Sequence, residues 1–198
     1  MHQLVSTDPC TGDTVWCGPA SDARAVDAAV ARARSAQPGW EATPLAKRVA
    51  ILEAYAARVT ARAEDIARLI SRETGKPYWE TKTEAASVAA KVAISLRAQA
   101  ERTGEHLIHT NGMTQALRHR PHGVLAVLGP YNFPAHLPNG HIVPALLAGD
   151  TVVFKPSEET PLTGELMPRP SQQPTCRPAW SMSFRAGATP ARPCWTAA

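Results

Sequence analysis

The chain has 198 residues, of which 44% are hydrophobic and 19% are charged, so it is long enough and apolar enough for one or two folded domains. It contains no run of about 18 apolar residues, and a membrane is therefore not expected as a partner. The formal net charge is +4, and the four arginines that account for it follow Leu166 in a stretch without acidic residues. The rest of the chain is formally neutral, so nucleic acid is not expected as a partner either.

The first predicted elements form an extended start and a helix. The cluster Asp8–Asp13 is typical of a turn, and Thr14–Cys17 is a short strand candidate. Ser21 is the predicted N-cap of a helix that Gly39 and Pro44 delimit. The apolar residues of this helix recur at helical spacing: Ala25, Val26, Ala29, Val30 and Ala33.

A long apolar stripe follows Pro44. Its members recur at alternating steps of four and three residues, which indicates one face of a helix. The stripe is compatible with one helix or with two helices that meet near Thr60, and it ends at Gly75. A second amphipathic helix is predicted from Trp79 to Ala100, and residues 118–121 are expected to be extended. The stripe consists of Leu45, Val49, Leu52, Ala56, Val59, Ala63, Ile66 and Ile70.

The pattern changes at Gly123 to that of a strand–helix–strand unit. The apolar run Val124–Leu128 predicts a strand that is buried on both faces, as in a parallel sheet. A helix is expected over residues 134–147, with a kink or a tight last turn at Pro144, and Thr151–Phe154 is the second strand. The crossover between the two strands should be right-handed.

Residues 167–198 do not continue this pattern. The stretch contains six prolines and no Leu, Ile, Val, Lys or acidic residue. Burial of apolar side chains therefore cannot offset the conformational entropy that this stretch would lose on folding. We expect a disordered tail. Its composition is that of a GC-rich gene read in a shifted frame, which suggests a truncated product.

Two polar sites follow the two predicted strands. Asn132 lies at a strand-to-helix turn, where its amide group could donate to a developing oxyanion or its oxygen could cap the helix. Lys155 and Glu158 could hold the ribose hydroxyls of a nucleotide, or they could be a solvated lysine and a glutamate in the first turn of a helix. His136 and His141 are five residues apart, a spacing that does not suit a metal site on a helix, so no metal is expected.

The four cysteines show no CxxC pair and no spacing typical of metal ligands. A chain of this length does not need disulfides for stability. We therefore expect unpaired thiols and a cytoplasmic location. The cysteines are Cys10, Cys17, Cys176 and Cys194.

Three separated motifs agree in order and spacing with one enzyme family. The stretches Glu73–Pro77, Gly129–Pro134 and Lys155–Glu158 resemble those of the NAD(P)-dependent aldehyde dehydrogenase superfamily. The resemblance runs from about residue 4 to Glu165. Within the family, His136–Gly149 is most similar to the branch that oxidises N-succinylglutamate 5-semialdehyde to N-succinylglutamate with NAD, in bacterial arginine catabolism.

The resemblance implies a fold and a division of the chain. The expected fold is α/β, with N-terminal helices before the first βαβ unit of a Rossmann-like NAD-binding domain. Residues 1–122 would form the helical and oligomerisation segment, residues 123–166 an incomplete NAD-binding domain, and residues 167–198 the tail. The family forms homo-oligomers and acts on small-molecule aldehydes.

The resemblance also implies roles for individual residues. Asn132 matches the oxyanion-stabilising asparagine, and Phe133 and Leu137 match residues of the aldehyde tunnel. In the family a cysteine thiolate attacks the aldehyde, a hydride passes to NAD, and a glutamate-activated water hydrolyses the thioester. The residues that match the cofactor site are Leu128, Gly129, Pro130 and Tyr131 near the nicotinamide half, and Lys155, Ser157 and Glu158 around the ribose.

The catalytic cysteine of the family is expected beyond the end of this chain. Neither Cys176 nor Cys194 matches its surroundings, so the 198-residue chain is expected to be inactive. Two other interpretations stay open. One is a non-catalytic module for nucleotide binding or oligomerisation. The other is a nucleic-acid-binding protein in which Trp180 and Trp195 stack on bases.

Overall fold

A computed structural model describes residues 3–103, 106–167 and 181–183. Two small hairpins flank four helices, and a strand–helix–strand unit follows the second hairpin. The elements are β1 (Gln3–Thr7), β2 (Thr14–Pro19), α1 (Ala23–Glu41), α2 (Leu45–Ala61), α3 (Ala63–Thr74), α4 (Tyr78–Arg102), β3 (His106–Thr110), β4 (Met113–Leu117), β5 (Val124–Leu128), α5 (His136–Ala148), β6 (Thr151–Lys155), α6 (Pro161–Leu166) and β7 (Ser181–Ser183).

The N-cap of α1 is Asp22, so the prediction of Ser21 was wrong by one residue. The Asp22 carboxylate accepts a 2.8 Å hydrogen bond from the backbone N–H of Ala25, and a carboxylate also favours the positive end of the helix dipole. Helix α1 also continues past Gly39 to Glu41. Trp40 holds this last turn in place, because its indole N–H donates to the carbonyl of Leu146 at 3.0 Å.

The apolar stripe after Pro44 forms two helices. Helices α2 and α3 meet at Arg62, two residues from the break considered at Thr60. The stripe continues across the break because Val59 and Ile66 are both buried in the same core. Gly75 ends α3 in the left-handed conformation, with a φ of 71°.

Helix α4 packs against α2, α3 and α5, and the main core lies between these helices. A buried hydrogen-bond chain joins three of them. The Tyr55 hydroxyl of α2 donates to Asn139 Oδ1 of α5 at 2.7 Å, and Asn139 Nδ2 donates to the carbonyl of Val88 in α4 at 2.8 Å. Burial raises the pKa of Tyr55 far above its usual range, so this hydroxyl stays a donor.

The predicted strand–helix–strand unit is present. Strands β5 and β6 pair in parallel, from Val124 opposite Thr151 to Leu128 opposite Lys155. Helix α5 connects them and ends at Gly149, whose φ of 103° is left-handed. Pro144 lies inside α5. The kink at Pro144 and the right-handed crossover stay predictions.

The expectation that the first strand is buried on both faces was wrong. β6 is buried along most of its length, whereas β5 lies at the edge of the described sheet, and Leu128 in it is 72% exposed. An edge strand has a neighbour on one side only, so part of its surface stays open.

Most of the 167–198 segment lies outside the described residues. Ser181–Ser183 are described, and they form β7, a parallel neighbour of β6. At these three residues the structure has a strand where the sequence predicted disorder. Across the described part of the chain, no helix is long and apolar enough to cross a membrane.

Candidate functional site

The carboxyl ends of β5 and β6 lie side by side and carry the residues that the motifs singled out. The backbone N–H of Gly129 donates to the carbonyl of Lys155 at 2.8 Å, which joins the turn after β5 to the end of β6. In open α/β sheets, ligands bind beyond this edge. The structure thus brings the 129–134 turn and the 155–158 segment to the position where a ligand site is expected.

Lys155 and Glu158 form an ion pair at this edge. Lys155 Nζ donates to Glu158 Oε2 at 2.9 Å, and both side chains keep some exposure to solvent. This hydrogen bond holds the pKa of the Glu158 carboxyl below its usual range. Glu158 is not in the first turn of a helix, because α6 begins at Pro161, so that alternative is excluded.

Ser157 lies between the two charged residues and has a structural contact. Its hydroxyl accepts from the backbone N–H of Glu159 at 3.2 Å, and the residue is only 7% exposed. This contact fixes the turn on which Glu158 sits. A ribose role for the Ser157 hydroxyl stays a prediction.

Asn132 does not cap α5. The cap position is Ala135, which has no side-chain acceptor, and the carboxylate of Glu84 takes that place from helix α4. Glu84 Oε1 accepts from the backbone N–H groups of Ala135 at 3.1 Å and His136 at 3.2 Å. Asn132 itself is exposed and makes no hydrogen bond to the described residues, so its amide group is available as a donor.

Lys76, which belongs to the Glu73–Pro77 motif, contacts both Glu84 and the turn that carries Asn132. Its ammonium group lies 3.6 Å from the ring centroid of Phe133 and 3.4 Å from Glu84 Oε2. It also contacts Glu80 at 3.2 Å. Lys76 and Glu84 therefore hold both sides of the turn that carries Asn132.

Glu73 of the same motif positions α6. Its carboxylate accepts from the backbone N–H groups of Leu162 at 3.0 Å and Thr163 at 2.7 Å. Burial raises the pKa of Glu73, and the hydrogen bonds from Thr163 and Leu162 oppose that rise. The helix end predicted at Gly75 is confirmed, whereas the contacts of Glu73 and Lys76 were not predicted.

Glu84 and Lys76 were not predicted as site residues. One signal was present: Glu84 lies at helical spacing with Thr81 and Val88, both of which are buried. A carboxylate on the buried face of a helix needs a partner. The partners are 51 and 52 residues away in the sequence, so the helical pattern alone does not identify them.

Exposed apolar side chains lie on both sides of Asn132 in the sequence. They are more exposed than is usual for large apolar side chains, which suits a wall for a ligand. Pro130 belongs to the same turn, and a cavity of about 360 Å³ opens beside Tyr131 toward Glu73 and Thr160. The exposed fractions are 72% for Leu128, 62% for Tyr131, 41% for Leu137 and 37% for Phe133.

The described residues hold no group of three or more potential metal-ligating side chains. Cys10 and Cys17 are exposed free thiols in the N-terminal hairpin region. Cys176 and Cys194 lie outside the described residues.

Solved structures of aldehyde dehydrogenases share this fold. An NADP-dependent glyceraldehyde-3-phosphate dehydrogenase from Bacillus halodurans, complexed with NADP, superimposes with a TM-score of 0.86 at 25% identity, covering 94% of this chain and 40% of that one. PnpE in complex with nicotinamide adenine dinucleotide gives a TM-score of 0.84 at 28% identity, covering 94% of this chain and 38% of that one.

Curated relatives are closer in sequence. The N-succinylglutamate 5-semialdehyde dehydrogenase 1 of Caulobacter vibrioides is 61% identical over 165 residues, which are 83% of this chain and 35% of that protein. The N-succinylglutamate 5-semialdehyde dehydrogenase of Vibrio cholerae is 56% identical over 172 residues, or 87% of this chain and 36% of that protein. The chain thus spans about a third of the length of the curated relatives that it matches.

A family model gives the same result as these individual relatives. The model of the aldehyde dehydrogenase family matches residues 2–172, which include every predicted site residue from Leu128 to Glu158. The match therefore covers the helices, the strand–helix–strand unit and the motifs at its edge. The chain therefore belongs to the aldehyde dehydrogenase family.

Proposed function

We propose that the chain supplies part of an NAD-dependent enzyme that oxidises N-succinylglutamate 5-semialdehyde to N-succinylglutamate, a step of bacterial arginine catabolism. The observation that carries the proposal is the juxtaposition of the Lys155–Glu158 pair and the exposed Asn132 amide at one edge of a parallel sheet. The 61% identity to the Caulobacter vibrioides enzyme supports the choice of substrate.

The residues at the end of β6 fit a nucleotide ribose. A carboxylate accepts and an ammonium group donates, so Glu158 and Lys155 together complement vicinal hydroxyls, which both donate and accept. The pair is partly exposed and therefore accessible. Glu158 would repel a 2′-phosphate, which favours NAD over NADP. NAD supplies the acceptor for the hydride that leaves the substrate.

Asn132 would bind the aldehyde oxygen as negative charge develops on it. Its amide group is free of other described contacts, and Glu84 and Lys76 hold the turn on which it sits. A preorganised donor of this kind contributes about a hundredfold or more to the rate of the step it assists. Phe133 and Leu137 would line the approach of the aldehyde.

A chimera with the Caulobacter vibrioides relative tests the reaction. Residues 3–166 of this chain replace the matching segment of that enzyme, and oxidation of N-succinylglutamate 5-semialdehyde is followed by NADH absorbance. We expect the chimera to be active. We also expect Asn132→Ala in the chimera to lower kcat about a hundredfold. A folded chimera that does not turn over this substrate with NAD would contradict the proposal. The 198-residue chain alone is expected to be inactive, because neither Cys176 nor Cys194 matches the surroundings of the family's catalytic cysteine.

Calorimetric titration of NAD into the 198-residue chain tests the ribose site. We expect weak binding that Lys155→Ala weakens further, because the ammonium donor is removed. Lys82→Ala is the matched control, since Lys82 is an exposed lysine of α4. Equal affinity in the wild-type and Lys155→Ala chains would show that the ribose contacts are assigned wrongly.

We also propose a cytoplasmic location and assembly into homo-oligomers, as the family resemblance implies. In the proposed division, residues 1–122 form the helical and oligomerisation segment and residues 123–166 contribute to the NAD-binding domain. The exposed hairpin of β3 and β4 supports the oligomerisation part of this proposal.

A further inference from the structure

A groove of about 510 Å³ runs between α4 and α5. Five of its lining residues are basic or histidine, and none of the described residues that line it is acidic. A concave surface with one sign of charge attracts ligands of the opposite sign. The positively charged or titratable residues are Arg48, Lys91, Arg102, His119 and Arg120.

These cations differ in their availability. Arg48 already donates to the backbone carbonyls of Leu147, Glu41 and Thr43. Arg102 lies in the last turn of α4, where the helix dipole favours a cation. Lys91 lies in the middle of α4, where the helix dipole does not favour a cation. Lys91 also forms no ion pair with the described residues.

Gly140 of α5 lies directly opposite Lys91. A Cβ atom at Gly140 would be 3.4 Å from Lys91 Cε and 3.8 Å from Lys91 Nζ. The lysine chain therefore crosses the space that a side chain at position 140 would fill. Within α5, Gly140 follows Leu137 by three residues, so these two positions lie on one face of the helix.

The length of the substrate bears on which of its groups reaches the groove. Asn132 is in the turn before α5, and Gly140 lies four residues, about 6 Å of helix rise, past the first residue of α5. In N-succinylglutamate 5-semialdehyde, about eight bonds separate the aldehyde carbon from the succinyl carboxylate, an extended span of about 9 Å. The α-carboxylate is only about four bonds from the aldehyde carbon, too close to reach Gly140 when the aldehyde lies at Asn132.

We propose that the groove binds the succinyl carboxylate of the substrate and that Lys91 is the residue that contacts it. The proposal rests on the function proposed above and adds a specificity-determining residue to it. Lys91 selects aldehydes that carry an anionic group at the far end. The glycine at position 140 leaves room for the lysine chain to reach that group.

Nuclear magnetic resonance of the 15N-labelled 198-residue chain tests this contact. Succinate and N-succinylglutamate are titrated at constant ionic strength, and neutral succinamide serves as the uncharged probe. We expect the Gly140 amide to shift with both anions and not with succinamide. Lys91→Met should weaken anion binding roughly tenfold, the effect of one lost charge-assisted hydrogen bond, whereas Lys91→Arg should largely retain it.

Lys82→Met is the matched control, because it removes the same charge from an exposed position on the same helix. An affinity for succinate that is equal in the Lys91→Met and wild-type chains overturns the proposal, as does a Gly140 amide that never responds. If the chimera oxidises the substrate but the amide does not respond, the function stands and the assignment of Lys91 fails. If the anions bind but a folded chimera is inactive, the groove is supported as an anion site and the proposed function is contradicted.

Discussion

Gly129 lies where β5 passes into the turn that carries Asn132, and its lack of a side chain allows a close contact. A Cβ atom there would come within 2.9 Å of Phe154 Cε2 and 3.2 Å of Pro138 Cγ. Phe154 is a buried ring of β6, so it has little room to move. The glycine is therefore required by packing and not by a left-handed backbone.

Gly129→Ala is expected to destabilise the chain by about 1–3 kcal/mol, because the added methyl group overpacks the contact with Phe154. Urea unfolding followed by circular dichroism measures the change. The matched control is Gly39→Ala in α1, where an added Cβ meets no atom within 4 Å. That control should be neutral or stabilising by about 0.5–1 kcal/mol. Equal effects of the two substitutions would contradict the packing argument.

The Lys155–Glu158 pair gives a prediction about pH. The pKa of Glu158 is lowered in the folded chain, so the pair stabilises the fold above the ordinary carboxyl pKa and loses that contribution as pH falls through the lowered value. The effect on stability is small because both side chains are partly exposed. A 13C titration of the Glu158 carboxyl should show the lowered pKa directly. Lys155→Met should raise that pKa toward the ordinary value, and a pKa that does not move would exclude Lys155 as its cause.

At the scale of elements, Glu84 connects α4 to the start of α5. It binds two backbone N–H groups of the α5 cap and the ammonium group of Lys76. Glu84→Ala should therefore cost about 1–3 kcal/mol of folding free energy and speed hydrogen exchange at Ala135 and His136. Glu80→Ala is the control, since Glu80 also contacts Lys76 but is 38% exposed. If both substitutions have the same effect on exchange at these amides, the capping role is wrong.

The elements differ in how far the sequence predicted them. The two strands and α5 follow from short apolar runs between glycines, which are local signals. The break at Arg62 was harder to locate because the apolar face continues through it. The partners of Glu84 and Glu73 were not predictable, because each carboxylate binds amides more than 50 residues away in the sequence.

At the scale of the whole molecule, the β3–β4 hairpin is the least covered part. No other described element packs extensively against it. An isolated two-stranded hairpin is marginally stable in water. Residues paired across the strands share a face, and the pairing puts Ile108, Met113 and Leu117 on one face and His109 and Thr114 on the other. The first face, which we call the apolar face, also carries Thr110 and Gln115, and its three apolar residues are each more than half exposed.

We expect this apolar face to contact a second copy of the chain. Sedimentation velocity should show association that increases with concentration. Introducing lysine at both Ile108 and Met113 should weaken it at least tenfold, because each buried apolar side chain contributes about 1.5–3 kcal/mol. Introducing lysine at both His109 and Thr114 adds two lysines to the opposite face and should have a much smaller effect. A wild-type chain that stays monomeric at all concentrations, or equal weakening by both pairs, would mean that the apolar face of the hairpin is not the contact.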